Sequence, residues 1–451
     1  MPRGAATTRA VTRWTVRIIP IFILCAFIVV TYAIVGHISV EYYIQEKNNV
    51  ALGAVFIALY FILFFLMIVT YLRTFITVQT NPGFVPLRGD EPDVNSEKKK
   101  QPSRKRSRQQ RRRSGGRLAA DPDRWAPVDT DPDSPGLETF YSKDIFECEV
   151  DGRPRWCSSC RQWKPDRAHH SSELGRCVRK MDHLCPWVGG MVSETSFNFF
   201  TQFCFYCAGF CGLCLAIAAY TIVQQSNERE IPDGWVIALI AAPAFFLLFT
   251  GGMVLTSLRY IFTNITNIDI LSRSRVSYIA VRIPSDTPPS HRYPTIVYPL
   301  QPPPPPPPPQ QQQWQYPQYS NSQLDGALPP PPPPAAVAPP ARAPTGRDAQ
   351  AVRKFAILQF KSSDNPWSLG VARNWKSVMG NGPLEWFLPI RHSPCCDHDS
   401  MNSDYPTGRA LTKLKKRFGL PGYEADAEAI EAWEQRGQRG RRQQAGTVST
   451  L

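Results

Sequence analysis

Residues 50–72 read VALGAVFIALYFILFFLMIVTYL, a block of 23 without a single Asp, Glu, Lys or Arg. At 1.5 Å per helical residue such a block crosses a hydrocarbon layer of about 30 Å. Residues 18–40, 197–223 and 235–258 are equally free of charge and at least as long. The sequence therefore predicts an α-helical polytopic membrane protein with four transmembrane helices, which excludes a purely soluble enzyme and an all-β secreted domain. The first block is longer than a signal-peptide core of about 7–15 residues and lacks a small-residue cleavage pattern, so it reads as a span rather than a cleaved leader. A transporter is disfavoured, because no charged residue in the four blocks marks an ion or substrate path.

The formal charge of +14, from 51 basic and 37 acidic residues, would suggest nucleic acid if it were spread over a surface. Most of it lies in one run, KKKQPSRKRSRQQRRRSGGR at 98–117, which holds eleven of the basic residues and no acid, leaving 40 against 37 elsewhere. Such a run is expected to be a solvated tether. It is also expected to touch anionic lipid headgroups, at roughly 1 kcal/mol per basic residue near the surface, and no nucleic-acid partner is expected. Orientation follows from the charges that flank the spans. Residues 1–17 carry Arg3, Arg9, Arg13 and Arg17 without an acid, and the segment after the second span holds the polybasic run, so both should face the cytosol. The connections at 41–49 and 224–234 carry only Lys47 and Arg229, beside Glu41, Glu46, Glu228, Glu230 and Asp233, as suits the opposite face. Four crossings return the C-terminal tail to the cytosol, in an internal membrane or the plasma membrane.

Between the spans, residues 73–147 open with the turn-forming Asn81-Pro82-Gly83 and read as a linker. Residues 148–196 are rich in Cys, His and Trp and predict a small module held by metal in place of a large core. After the fourth span come a membrane-proximal segment at 259–300, a proline- and glutamine-rich stretch at 301–350 that favours polyproline II, a region of renewed apolar density at 351–392 containing FAILQF and LEWFLPI, and a tail at 393–451. The 351–392 region is expected to fold as a short piece resting on the membrane-proximal module.

Of twelve cysteines, Cys157, Cys160, Cys177 and Cys185 fall in the module with His169, His170 and His183. Cytosolic thiols stay reduced, so metal binding or catalysis is expected before disulfides. Cys157-x-x-Cys160 has the spacing of a zinc knuckle, with His170 and Cys177 available to complete a tetrahedron. Cys204, Cys207, Cys211 and Cys214 lie on one helical face and imitate a metal site. They sit inside an apolar span, where they are expected to be small packing residues against another helix. Cys395 and Cys396 are expected to be modification sites rather than ligands.

The stretch CSSCRQWKPDRAHHSSELGRCVRKMDHLCPW, residues 157–187, resembles the cysteine-rich domain of the DHHC protein S-acyltransferases, the palmitoyltransferases. Asn81-Pro82-Gly83 looks like that family's DPG motif, Thr266-Asn267-Ile268-Asp269 like a degraded TTxE, and NPWSLGVARNWKSVMG at 365–380 like its C-terminal motif, with Asn374 as the motif's asparagine. The proline and glutamine insertions suggest a fungal member. The resemblance implies two zinc sites of three cysteines and one histidine each. One set is complete here, Cys157, Cys160, His170 and Cys177, so one structural zinc ion is expected. The other would be Ser171, Leu174, Leu184 and Met191, and the three apolar replacements are expected to meet as a hydrophobic plug.

The signature reads Asp182-His183-Leu184-Cys185 in place of DHHC. The resemblance assigns the second histidine of that signature to zinc and leaves the chemistry to the other three residues: Cys185 as nucleophile, His183 as its base and Asp182 as the group that orients the imidazole. It implies a ping-pong transfer from palmitoyl-CoA, through acyl-Cys185, to cysteines of membrane-associated proteins. Trp187 and Phe200 match positions that line the acyl cavity. Lys164, Arg167, Arg176, Arg179 and Lys180 are candidates to meet the CoA phosphates, with Lys164 and Arg167 preferred on the family match. The alternative is an inactive, zinc-stabilised scaffold that recruits partners through its proline-rich tail.

Overall fold

The computed structural model describes residues 18–87, 136–298, 352–396 and 405–421, apart from residues 20, 24, 232, 273–275, 362 and 363. The polybasic run, the proline-rich stretch and most of the tail lie outside the described residues.

Among the described residues four helices are long and apolar enough to cross a membrane: α1 (Ile21–Glu46), α2 (Val50–Thr80), α4 (Phe197–Asn227) and α5 (Gly234–Thr263). Each runs past its uncharged block, because once a helix is nucleated each further residue adds a backbone hydrogen bond whether or not its side chain is apolar. The connections accordingly shrink from the expected 41–49 and 224–234 to residues 47–49 and 228–233. They are tied together by Lys47, which bonds Glu228 and Glu230. His37 lies between Glu41 and Asp233 at the same end of the bundle. Asn49 and Asp233 cap α2 and α5, accepting from Leu52 N (3.2 Å) and Trp235 N (2.9 Å). The bundle core is built from residues such as Ile34, Tyr60, Met67, Phe210 and Ile217.

Asn81-Pro82-Gly83 ends α2 and fastens it to the cysteine-rich module. The Asn81 carbonyl accepts from Thr195 Oγ1 (2.7 Å) and the Pro82 carbonyl from Ser193 Oγ (2.9 Å). Gly83 has φ +76°, and a Cβ there would meet Ser193 Oγ at 3.0 Å, so glycine is required by both backbone and space.

After the short helix α3 (Glu138–Tyr141) comes strand β1 (Ile145–Cys148). The cysteine-rich module is three two-stranded hairpins, β2 (Trp156–Cys157) with β3 (Gln162–Trp163), β4 (Ala168–Ser171) with β5 (Arg176–Arg179), and β6 (His183–Cys185) with β7 (Gly190–Val192). Beyond α5 lie α6 (Asn267–Leu271), β8 (Ser277–Ile283), β9 (Thr295–Tyr298), β10 (Arg353–Phe360), α7 (Val371–Met379), α8 (Pro383–Phe387) and α9 (Arg409–Phe418). Strands β1, β8, β10 and β9 pair antiparallel in that order. Alternate residues of the sheet face two cores. Ile279, Val281 and Leu358 pack with Trp367, Leu411 and Leu414, while Ala280, Phe355 and Ile357 pack with Phe146, Trp163 and Tyr298.

This sheet corrects the expected boundaries. Residues 145–148 are its edge strand, not linker, and FAILQF is its strand β10, paired across an interval of some seventy residues with 277–283. The 351–392 region therefore does not fold as one piece: its first part completes the sheet and its second part packs on α5 and α4.

Candidate active site and metal centre

In the first half of the module, β4–β5 register places His170 directly opposite Cys177. The β2–β3 turn brings Cys157 and Cys160 to the same point. One ligand atom from each of the four lies within 4.8 Å of all the others. His170 Nδ1 is 3.5 Å from Cys157 Sγ and 3.4 Å from Cys160 Sγ. A tetrahedron with zinc–sulfur bonds of about 2.3 Å has edges of about 3.8 Å, so three thiols and an imidazole at this spacing fit a zinc ion. Among the described residues no other such group occurs.

The second half repeats this geometry with different chemistry. Leu174 N donates to Ser171 Oγ (3.2 Å), as Cys160 N donates to Cys157 Sγ (3.4 Å). Leu184 pairs with Met191 across β6–β7 as His170 pairs with Cys177 across β4–β5. Leu174, Leu184 and Met191 share one cluster with Val178, Met181, Phe84 and Ile268. The plug expected from the sequence is present, and it also recruits Phe84 from beyond α2 and Ile268 from α6.

The β6–β7 hairpin presents Cys185. Cys185, 5% exposed, pairs with Gly190, which lies so close to Val78 of α2 that an added Cβ would come within 2.9 Å of its side chain. Asp182 lies immediately before the strand. One carboxylate oxygen, Oδ2, holds His183 Nδ1 at 2.6 Å, and the other, Oδ1, accepts from Asn267 N at 2.8 Å. The imidazole edge rests against the Phe200 ring, centroids 5.2 Å apart. His183 Nε2 is buried with no nitrogen or oxygen partner among the described residues. Desolvation lowers the pKa of this imidazole, but hydrogen bonds to Asp182 and Cys185 outweigh it and push it up to about 9.

Beside Cys185 an apolar cavity of about 180 Å³ runs between α1, α4 and α5, lined by Trp187, Phe200, Phe27 and Phe246 among others. Trp187 and Phe200, expected to line an acyl cavity, border this one together with Cys185. Cys204, Cys207, Cys211 and Cys214 also line this cavity. They serve as packing residues, as expected: Cys211 and Cys214 belong to the bundle core with Cys207 packed against it, Cys204 belongs to the cluster around Cys185, and all four also give one wall of the cavity its small apolar side chains.

Arg167 is a correction. It is 2% exposed, and its guanidinium donates to Asn264 Oδ1 (2.9 Å), to the Asn264 carbonyl (2.8 Å) and to Asp269 Oδ2 (2.9 Å). It is not presented to a CoA phosphate. Arg176, half-buried, donates to the Val85 carbonyl (2.9 Å), and Lys180 is buried. Lys164 is half-buried. Asp269 also accepts from Thr266 N (2.9 Å) while Thr266 Oγ1 accepts from Asp269 N (3.2 Å), a capping box that opens α6. That box fixes the Asn267 amide against Asp182. Thr266–Asp269 was visible as a motif, but which strand its amide would reach was not. Asn374, fully buried, accepts from Leu369 N (2.8 Å) and donates to the Phe262 carbonyl (2.8 Å), and Asn365 donates to the carbonyls of Thr263 and Asn264 (both 3.0 Å). The two asparagines satisfy carbonyls that the end of α5 leaves open. Cys396 Sγ donates to the Glu194 carbonyl (3.0 Å), so this thiol is packed against the module.

Residues 150–274 match the family model described as DHHC palmitoyltransferase. The sequence is 35% identical over 450 residues to palmitoyltransferase pfa5 of Aspergillus fumigatus, covering 93% of each chain. The chain belongs to the DHHC palmitoyltransferase family. It is also 36% identical over 444 residues to palmitoyltransferase pfa5 of Emericella nidulans, covering 92% of this chain and 88% of that one. With palmitoyltransferase PFA5 of Kluyveromyces lactis it shares 35% identity over 129 residues, 28% of this chain and 36% of the relative. Within this DHHC palmitoyltransferase family the departure at Leu184 leaves the Asp182, His183 and Cys185 positions filled.

Proposed function

We propose that this DHHC-family chain moves a palmitoyl group from palmitoyl-CoA to cysteine thiols of membrane-associated proteins through a thioester on Cys185. The observation that carries the reading is the placing of His183: Nδ1 is bound to Asp182 at 2.6 Å, Nε2 has no competing polar partner among the described residues, and Cys185 lies at the wall of an apolar cavity. An imidazole raised to about 9 is basic enough to take the thiol proton. The Cys185 sulfur then attacks the thioester carbonyl, the bond to the CoA sulfur breaks, and CoA leaves with the proton that His183 returns. In the second half His183 takes the proton of a substrate thiol, whose sulfur attacks acyl-Cys185 and restores the free enzyme. Burial of the acyl chain beside Trp187 and Phe200, at about 0.8 kcal/mol per CH₂, keeps the thioester at the membrane boundary.

Cys157, Cys160, His170 and Cys177 would hold one structural zinc, which contributes fold stability and no step of the transfer. Lys164 is the remaining preferred candidate for the CoA phosphates. Both termini and the module face the cytosol, on the charge asymmetry of the flanks, and the polybasic run at 98–117 contacts anionic lipid. A catalytically inactive scaffold would have no use for an Asp182–His183 pair beside a thiol at the wall of an apolar cavity. Labelling with a clickable palmitate analogue followed by hydroxylamine tests the reading. Wild type should take up a hydroxylamine-labile label that Cys185→Ser lacks, and equal labelling of a folded serine variant would return the scaffold.

A further inference from the structure

Helix α4 carries three polar side chains on one stripe, Asn198, Gln202 and Tyr206, spaced by four residues in an otherwise apolar span. All three donate to backbone carbonyls of a single segment that follows α7. Asn198 Nδ2 reaches the Arg391 carbonyl (2.9 Å), Gln202 Nε2 the carbonyls of Glu385 (2.8 Å), Trp386 and Leu388 (both 3.2 Å), and Tyr206 Oη that of Phe387 (2.8 Å). The segment satisfies further groups internally: Leu388 N donates to the Leu384 carbonyl and Ile390 N to the Leu388 carbonyl (both 2.8 Å), and Trp386 Nε1 to the Gly380 carbonyl (2.9 Å).

These contacts fix the segment's depth. It leaves α7, whose Val378 and Met379 pack on Ile261 near the end of α5, and it ends at His392, whose Nδ1 meets the Thr195 carbonyl (3.0 Å) just before α4. Between those two points it descends as far as the Tyr206 hydroxyl, carried by a side chain rooted nine residues, or about 14 Å, into α4 and leaning back toward the helix start. Cys204, at a comparable depth, belongs to the same apolar cluster as Cys185. The segment's outward side chains are apolar: Leu384 is 69% exposed, Phe387 53% and Ile390 53%. Arg391, at the shallow end, is the exposed charge that follows them.

Polar backbone turned inward and large apolar side chains turned outward is the reverse of what water selects. It is what hydrocarbon selects, since non-helical backbone is tolerated at membrane depth only where protein satisfies its carbonyls.

We propose that residues 383–391 form a re-entrant dip seated in the bilayer, with Leu384, Phe387 and Ile390 among lipid acyl chains and Arg391 at the headgroups. The C-terminal region beyond α5 then does not stay wholly in the cytosol. It is pinned into the same leaflet as Cys185 by the Asn198, Gln202 and Tyr206 stripe.

The test uses the full chain in phosphatidylcholine vesicles, with a photoreactive benzophenone residue at Phe387 or Leu384. Leu248 of α5 serves as a lipid-facing reference and Val150 of the module as a water-facing one, both exposed. A melting transition like wild type certifies each variant's fold. Mass spectrometry should find phosphatidylcholine adducts at Phe387 and Leu384 at the level of Leu248, several-fold above Val150. Adduct yields like those at Val150, or crosslinks to a second copy of the chain in place of lipid, would overturn the proposal.

Discussion

Leu184 and Met191 face each other directly across the β6–β7 hairpin, in the relation that His170 and Cys177 hold across β4–β5. One hairpin offers groups able to hold a metal and the other two apolar side chains, so the same backbone device carries a ligand set once and a hydrophobic contact once. Three such side chains contribute a few kcal/mol through burial, against an apparent 10–16 kcal/mol for a structural zinc. The module should therefore lean heavily on the one complete set. Metal analysis of purified protein should give about one zinc per chain, and Cys160→Ala should remove it and unfold the module. Two zincs per chain would show that Ser171 to Met191 hold a second ion after all.

The plug predicts an asymmetry between neighbouring positions. Leu184→His recreates the literal DHHC signature, yet it puts an imidazole beside Leu174, Met181 and Met191 with no ligand set to join. Burial without a partner costs about 1–3 kcal/mol. The variant should melt at a lower temperature and acylate no faster than wild type. His183→Ala should lose acyl-enzyme formation even at a temperature where the variant is fully folded. A Leu184→His variant that is both more stable and faster would sink this account.

The raised pKa of His183 gives stability a direction with pH. Its folded value, about 9, lies above the ordinary 6.5, so the imidazolium contributes stability that is fully present below about pH 6.5 and lost as pH rises through about 9. At about 1.4 kcal/mol per unit the whole shift corresponds to about 3 kcal/mol. Unfolding midpoints measured from pH 6 to pH 10 should fall further for wild type than for His183→Gln, with the common contribution of the metal ligands cancelling in the difference. Parallel profiles would show that Asp182 does not hold the proton on His183.

The spans and the metal knuckle were legible because each is a local signal. Charge-free blocks of span length and Cys157-x-x-Cys160 need no partner elsewhere in the chain to be read. The four-stranded sheet was not legible, because Phe355–Phe360 finds its partner Ser277–Arg282 only across the proline-rich stretch, and neither strand states which other it will join. The stripe of Asn198, Gln202 and Tyr206 did carry a signal, three hydrogen-bonding side chains at helical spacing in an apolar span. Attention to charge alone passes over it. Arg167 misled for a related reason: a motif gives a residue's neighbours in sequence, and burial by Asn264 and Asp269 is decided about a hundred residues away.

The path from Arg167 to the reacting group supplies the last prediction. Arg167 holds Asp269, Asp269 closes the capping box with Thr266, and the box sets the Asn267 amide 2.8 Å from Asp182 Oδ1. Arg167 and Asp269 are thus positioning residues for the Asp182–His183 pair, although neither touches the thiol. Breaking a buried ion pair by removing one partner costs about 3–5 kcal/mol, because the other charge is left behind. Asp269→Asn keeps the shape and a hydrogen-bond acceptor while removing the charge, so it should be milder than Asp269→Ala. Arg167→Lys should fail to rescue, since an ammonium cannot span Asn264 and Asp269 as the planar guanidinium does. If the pair only stabilised the fold, acylation by these variants at a temperature where each is fully folded would match wild type at every pH. If it positions Asp182, the folded variants should acylate more slowly and the pH profile of the reaction should move to lower pH, as the imidazole loses part of the carboxylate support that raises it. Acyl-enzyme formation measured across pH on folded Asp269→Asn, beside its melting curve, separates the two.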